Sequence, residues 1–71
     1  MYIQGHRFLV ITNGFGSSTK RAIPIESIIQ IIEFQDTNQT IIDYYCNEEK
    51  ERTYAQESFE SIMAGDHTVV L

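Results

Sequence analysis

The chain has no tryptophan, a single proline, a single cysteine and only five basic residues among 71. One cysteine cannot form an internal disulfide, and no Cys/His spacing resembles a zinc site, so neither of the usual staples of a small domain is expected. No apolar run approaches the roughly 20 residues needed to cross a bilayer. The first residues, MYIQGHRFLVITNG, lack the basic start, long apolar run and small-residue cleavage site of a secretion signal. A cytoplasmic setting with no membrane partner is the expectation. Five Lys/Arg against ten Asp/Glu give a net charge of −5, and a field of that sign opposes general nucleic-acid binding.

Isoleucine is what the chain does have. Ala22 to Phe34 (AIPIESIIQIIEF) holds six in thirteen residues, and Ile41, Ile42, Tyr44 and Tyr45 follow. β-branched and aromatic residues in short runs read as strands. A chain of this length forms one domain, here residues 1–71, and buries only about 60% of its unfolded surface. Its apolar content exceeds what one small core absorbs. Homo-oligomerisation is therefore expected to supply what disulfides and metals do not.

The elements read in order as follows. Phe8 to Asn13 is a strand closed by an Asn13-Gly14 turn, whose residues tolerate positive φ. Gly14 to Thr19 continues as a flexible loop, and Lys20 to Ile23 is a second strand. Pro24 to Ser27 is an edge position or a single helical turn, since proline cannot donate to a sheet ladder. In Ile28 to Phe34 the alternation places Ile29, Ile31 and Glu33 on one side and Ile28, Gln30, Ile32 and Phe34 on the other, which asks for a cover on each face. After a turn at Asp36-Thr37-Asn38, Thr40 to Cys46 pairs back, and a hairpin at Asn47 to Lys50 leads into Glu51 to Ala55. Phe59, Ile62 and Met63 then form the apolar stripe of a short helix, opposite Glu57, Glu60 and Ser61 and stopped by Gly65. His67 to Leu71 returns to strand character and must join its own sheet or a neighbour's. The fold class is mostly β (α+β): a small antiparallel sheet or SH3-like barrel of about five strands with one short C-terminal helix.

This order, with its residues, carries a family likeness. Residues 8–64 resemble the small FlbD-type flagellar-operon proteins of bacteria. There an Asn-Gly turn precedes an isoleucine-punctuated segment ending in I-x-x-I-E, here Ile29 to Glu33. A T-x-I strand follows, here Thr40 to Ile42, and then V-x-E-S-x-x-x-I, answered by Ala55 to Ile62. The family has a glycine in its second hairpin where this chain has Cys46-Asn47-Glu48-Glu49-Lys50. The resemblance implies the fold and a bacterial regulatory role; it brings no catalytic residues and no cofactor.

Two groups of residues are candidates for ligand contact. Gly14, Gly16, Ser17, Ser18, Lys20 and Arg21 combine permissive backbone, hydroxyl donors and cations, the ingredients of an anion-binding loop. Thr19 and Arg21 stand where a P-loop needs its second glycine and its magnesium-binding hydroxyl, so a nucleotide-hydrolysing site is not expected, while a modest phosphate or nucleotide contact is. Tyr44, Tyr45 and Tyr54, with Arg52 or Arg21, are able to stack and clamp a small anion, or else to pack a core or interface. A bland account covers the loop as well: a solvated hairpin connection. His6 and His67 would meet if the first and last strands were adjacent, but two ligands make a poor metal site, and none is expected. Cys46 lies among Asp43, Glu48 and Glu49, which raise rather than lower a thiol pKa, and Glu48 to Arg52 reads as a mixed-charge surface hairpin. No nucleophile stands beside a base, so no enzymatic activity is expected. Two roles follow: a small interaction or regulatory protein that self-associates and docks a protein partner, or an oligomeric binder, phage-encoded in one version, that sequesters a nucleotide or other small anionic ligand.

Overall fold

A computed structural model describes residues 5–14 and 19–70. Six strands, one 3₁₀ turn and one short α-helix follow in the order β1 (Arg7–Thr12), β2 (Lys20–Pro24), the turn Ile25–Ser27, β3 (Ile28–Phe34), β4 (Gln39–Cys46), β5 (Glu49–Ala55), α1 (Phe59–Met63) and β6 (Thr68–Val70). They form two antiparallel three-stranded sheets, β2-β1-β6 and β3-β4-β5. The protein is thus a small β-rich α+β domain. It has six strands rather than five because residues 68–70 pair with β1, Leu9 opposite Thr68 and Arg7 opposite Val70.

The core lies between the sheets. Alternation along β1 sends Leu9 and Ile11 inward, where they meet Ile23 of β2, Ile42 and Tyr44 of β4, Ala55 of β5 and Ile62 of the helix. The helix closes one side of this cluster. Ser58 caps its start, with Oγ accepting from the Ser61 amide. Its end is a Schellman motif, in which Gly65 N–H donates to Ile62 and Asp66 N–H to Ser61, and Gly65 supplies the required positive φ of 86°. Of the expected apolar stripe, Ile62 is buried and Phe59 half-buried, whereas Met63 is 60% exposed. Five residues are too few for a stripe to keep all three members on the core.

Three sequence expectations change, and one conditional pairing does not form. Asn13 and Gly14 do not turn in the left-handed region. They extend β1 until Asn13 bridges Ala55 and Gly14 N–H donates to the Tyr54 carbonyl at 2.9 Å. Glycine at position 14 suits this approach, since a Cβ there would lie 3.0 Å from Tyr54 Cβ and the neighbour would have to give by a few tenths of an ångström. In β3 the register slips between Ile28 and Gln30. This bulge turns Ile28 to the core side with Ile31 and leaves Ile29 exposed, so strict alternation misassigns the first two residues of the strand. Glu57 precedes the helix and is half-buried against β1 instead of facing solvent. His6 and His67 do not meet: the β1–β6 register sets His67 opposite Val10, about 13 Å along the strand from His6.

The β4–β5 hairpin closes through two residues, Asn47 (φ 53°) and Glu48 (φ 67°), between the paired Cys46 and Glu49. Both central residues are left-handed, as a type I′ turn requires, and glycine is favoured at the second. A glutamate there carries about 1 kcal/mol of backbone strain. Glu48→Gly is expected to raise stability by up to about 0.5 kcal/mol, the strain relieved less the entropic cost of glycine. The check is a higher urea midpoint at unchanged slope.

Candidate docking face

Register assigns every strand residue to a face. On the β2-β1-β6 sheet the side turned away from the core carries Phe8, Val10 and Thr12 from β1, Lys20, Ala22 and Pro24 from β2, and Val69 from β6, because Phe8 pairs with Pro24 and Val69, and Val10 with Ala22. Ala22 is exposed and Val69 is 41% exposed; Phe8, Val10 and Pro24 are half-buried. These five apolar side chains form one patch with no charge inside it. An antiparallel sheet with a solvated outer face alternates apolar-in with polar-out, and this sheet does not. Lys20 and Thr12 border the patch at one end. At the other, the chain leaves β2 into the 3₁₀ turn with exposed Glu26.

The outer face of the β3-β4-β5 sheet is polar at its centre. Gln30, Asp43 and Arg52 stand side by side across the three strands. Asp43 is fully buried, held by Arg52 Nε at 2.8 Å, Arg52 Nη2 at 3.1 Å and Gln30 Nε2 at 2.7 Å. The Arg52 hydrogen bond, followed by that from Gln30, holds the Asp43 carboxyl down at about 2. Ile32, Ile41 and Tyr54 lie on the same face toward the β3–β4 turn, and Tyr45 (57% exposed) and Lys50 toward the β4–β5 hairpin. Asp43 escaped notice in the sequence because alternation reports a face and not depth. A carboxylate between Ile42 and Tyr44, inside a strand, was the available signal.

The structure divides the residues expected to bind a ligand. Gly16, Ser17 and Ser18 lie outside the described residues. Gly14 is committed to the junction with β5. Lys20 borders the apolar patch. Arg21 points the other way, its Nη1 donating to Tyr44 Oη at 2.7 Å, and Tyr44 is part of the core. Tyr45, Arg52 and Tyr54 share the outer face of the other sheet. The sheet itself separates Arg21 and Tyr44 from these three, so the loop and the tyrosines do not converge on one site. Arg52 is no solitary surface charge either, since the buried Asp43 claims it.

One contact has the outline of a catalytic couple. Ser61 Oγ lies 2.9 Å from His67 Nε2. Ser61 Oγ also lies 3.0 Å from the Ser58 carbonyl, a second acceptor for its single proton, and which partner donates at the histidine contact follows the tautomer of the ring. The pair ties the helix to the start of β6. Glu57 is engaged with Thr12, accepting from its amide at 2.9 and 3.1 Å and from its hydroxyl at 2.8 Å. Burial works against that charge, yet the Thr12 hydrogen bonds outweigh it and the Glu57 pKa lies below the ordinary value.

Among the described residues no group of three His, Cys, Asp or Glu side chains is placed to hold a metal ion, and no helix is long and apolar enough to cross a membrane. The chain matches no protein-family model, no curated protein and no solved structure.

The carboxylates give a pH dependence with a definite sign. A folded-state pKa lowered from 3.8 to about 2 means that Asp43 stabilises the fold fully above its unfolded value and loses this contribution as pH falls toward 2. Glu57 acts in the same direction. Thermal melts between pH 7 and pH 2 are expected to show stability falling in the acid range. In Asp43→Asn the melting temperature should be lower at pH 7 and the acid fall shallower than in the wild type.

Proposed function

We propose that this is a small non-enzymatic interaction protein that works by docking through the outer face of the β2-β1-β6 sheet, with self-association as part of its action. The supporting observation is the uncharged patch of Phe8, Val10, Ala22, Pro24 and Val69 on a sheet whose other side already packs the core. An apolar patch without internal charge has the composition of an interface centre. The three strands carry Arg7, Lys20 and Arg21 and no carboxylate, so the sheet is locally basic on a chain of net charge −5. The resemblance of residues 8–64 to flagellar-operon proteins suits a bacterial regulatory role. An exposed free Cys46 suits the reducing cytoplasm. The second reading, capture of a small anionic ligand, rests on a smaller set than the sequence suggested: Tyr45, Lys50, Arg52 and Tyr54, which share one face.

A photo-reactive amino acid in place of Ala22, at the exposed centre of the patch, tests the docking face in the producing cell. Adducts with protein at this position, and none with the same group in place of exposed Glu60 on the helix, are expected. Labelling that does not differ between the two positions would contradict the assignment.

A further inference from the structure

Among the described residues four strands have an edge that no neighbour pairs along most of its length: β2 and β6 in one sheet, β3 and β5 in the other. Three of these edges are protected. β6 has only three residues. β2 ends in Pro24, which has no amide to donate, and begins with exposed Lys20 and Arg21. β5 is exposed and charged at Glu49, Lys50, Glu51 and Arg52. Shortness, proline and charge are the devices that keep an edge from pairing. β3 has seven residues, of which Ile28, Ile29, Ile31, Ile32 and Phe34 are apolar and Glu33 alone is charged. Its bulge is confined to the start of the strand, so Gln30 to Phe34 form a regular edge.

We infer that this edge of β3 pairs antiparallel with the same edge of a second copy of the chain, Ile31 of each lying opposite Glu33 of the other and the two Ile32 side chains meeting at the axis. The inference rests on the self-association in the reading above and places it on a surface apart from the docking face.

The main chain shows which groups are available. Gly14 N–H donates to the Tyr54 carbonyl and Gln56 N–H to the Thr12 carbonyl, so the even-numbered residues of β5 turn their main chain to β1 and the odd-numbered ones to β4. Carried through the register, Gln39, Ile41 and Asp43 face β3, where Phe34, Ile32 and Gln30 answer them. The N–H and C=O groups of Ile31 and Glu33 therefore point out of the sheet.

Charge and geometry select the register. Centring two such strands on Glu33 sets carboxylate against carboxylate, which is repulsive. Centring them on Ile31 makes one complete rung and drops the next onto the bulge. Centring them on Ile32 uses both outward residues of both chains, each Ile31–Glu33 pair exchanging two hydrogen bonds. The side chains then fit a copy of themselves. On the outer face Ile32, Ile41 and Tyr54 stand in one row across the three strands, with Ile41 fully buried and Ile32 half-buried at the open end. A twofold axis perpendicular to the sheet continues that row into its own image, and brings Gln30 of each chain beside Phe34 of the other, which is 49% exposed in the single chain. The operation also closes on itself, since each copy has one such edge to give, so the product is a dimer and not a fibre. The five residues of overlap span about 17 Å. The dimer is accordingly weak and grows with concentration.

Sedimentation velocity and amide-resolved NMR on the full chain, from micromolar to millimolar, are the test. Wild type should pass from monomer to dimer, and over the same range the Ile31 and Glu33 amides should change from fast to slow hydrogen exchange. Ile32→Lys and Ile32→Glu should each stay folded and monomeric. Their equimolar mixture should recover dimer, because position 32 faces its own counterpart and the introduced ammonium then meets the introduced carboxylate. Glu33→Pro removes an outward donor without touching the ladder to β4, and should stay folded and monomeric. A wild type that remains monomeric throughout, a dimer in which the Ile31 and Glu33 amides still exchange fast, a single position-32 charge variant that dimerises as well as wild type, or a mixture that recovers no dimer overturns the inference. The photo-reactive group at position 22 reads the docking face separately: its adducts should be unchanged in Ile32→Lys, and position-specific adducts from a chain that never dimerises leave that face standing while removing the β3 pairing.

Discussion

A carboxylate completes the junction between the two sheets. Along one edge of β1 the amides of Val10, Thr12 and Gly14 point the same way, as alternate residues of a strand must. Val10 donates to the His67 carbonyl where the chain enters β6, and Gly14 donates to the Tyr54 carbonyl of β5, both at 2.9 Å. Neither strand reaches Thr12. Glu57 fills the gap, taking the Thr12 amide and hydroxyl together, while the neighbouring Gln56 amide returns to the Thr12 carbonyl at 3.0 Å. The edge of β1 thus passes from one sheet to the other without an unpaired rung, which a half-buried backbone requires. Gly14 allows the approach and Glu57 completes it.

From that junction the rest follows. With β1 shared, the sheets stand face to face and enclose Leu9, Ile11, Ile23, Ile42 and Tyr44. Arg21 reaches across from β2 to the Tyr44 hydroxyl and ties the two layers at a second place. The helix is held by its Ser58 cap and by the Ser61–His67 contact that leads into β6. Among the described residues, Arg21, Arg52, Glu57 and Ser61 each make a hydrogen bond that links one element to another. On the outer side of the β2-β1-β6 sheet five apolar side chains lie together, exposed at Ala22 and Val69 and half-buried at Phe8, Val10 and Pro24. In a chain this small, with no disulfide and no metal site among the described residues, such a surface is where further stabilisation is available.

The strands were legible in the sequence. Ile28 to Phe34 and Thr40 to Cys46 are recovered almost to the residue, because β-branched and aromatic runs bounded by turn residues have few other uses. Gly65 marked the helix end for the reason found in the structure, a positive φ. What escaped depends on partners far along the chain. The bulge that turns Ile28 inward arises from pairing with β4, which no local pattern encodes. Asn13-Gly14 has turn chemistry, and only contact with Tyr54 and Ala55 explains why it stays extended. The burial of Asp43 depends on Arg52 and Gln30 from two other strands. The outer face of β1 has a trace in the sequence: Phe8 to Ile11 is apolar at every position, the pattern of a strand apolar on both sides. The isoleucine strand carries the same pattern, weakened there by the bulge and by Gln30.

The central claim is that the Glu57 carboxylate serves as a missing rung between β6 and β5. Hydrogen exchange at the Thr12 amide reads it directly. At neutral pH that proton should exchange as slowly as those of Val10 and Gly14, and in Glu57→Ala it should become fast while Ile11 stays protected. A Thr12 amide that exchanges at the rate of an open loop in the wild-type protein, beside protected neighbours, would show that the edge is broken there and that the sheets are held together by something else.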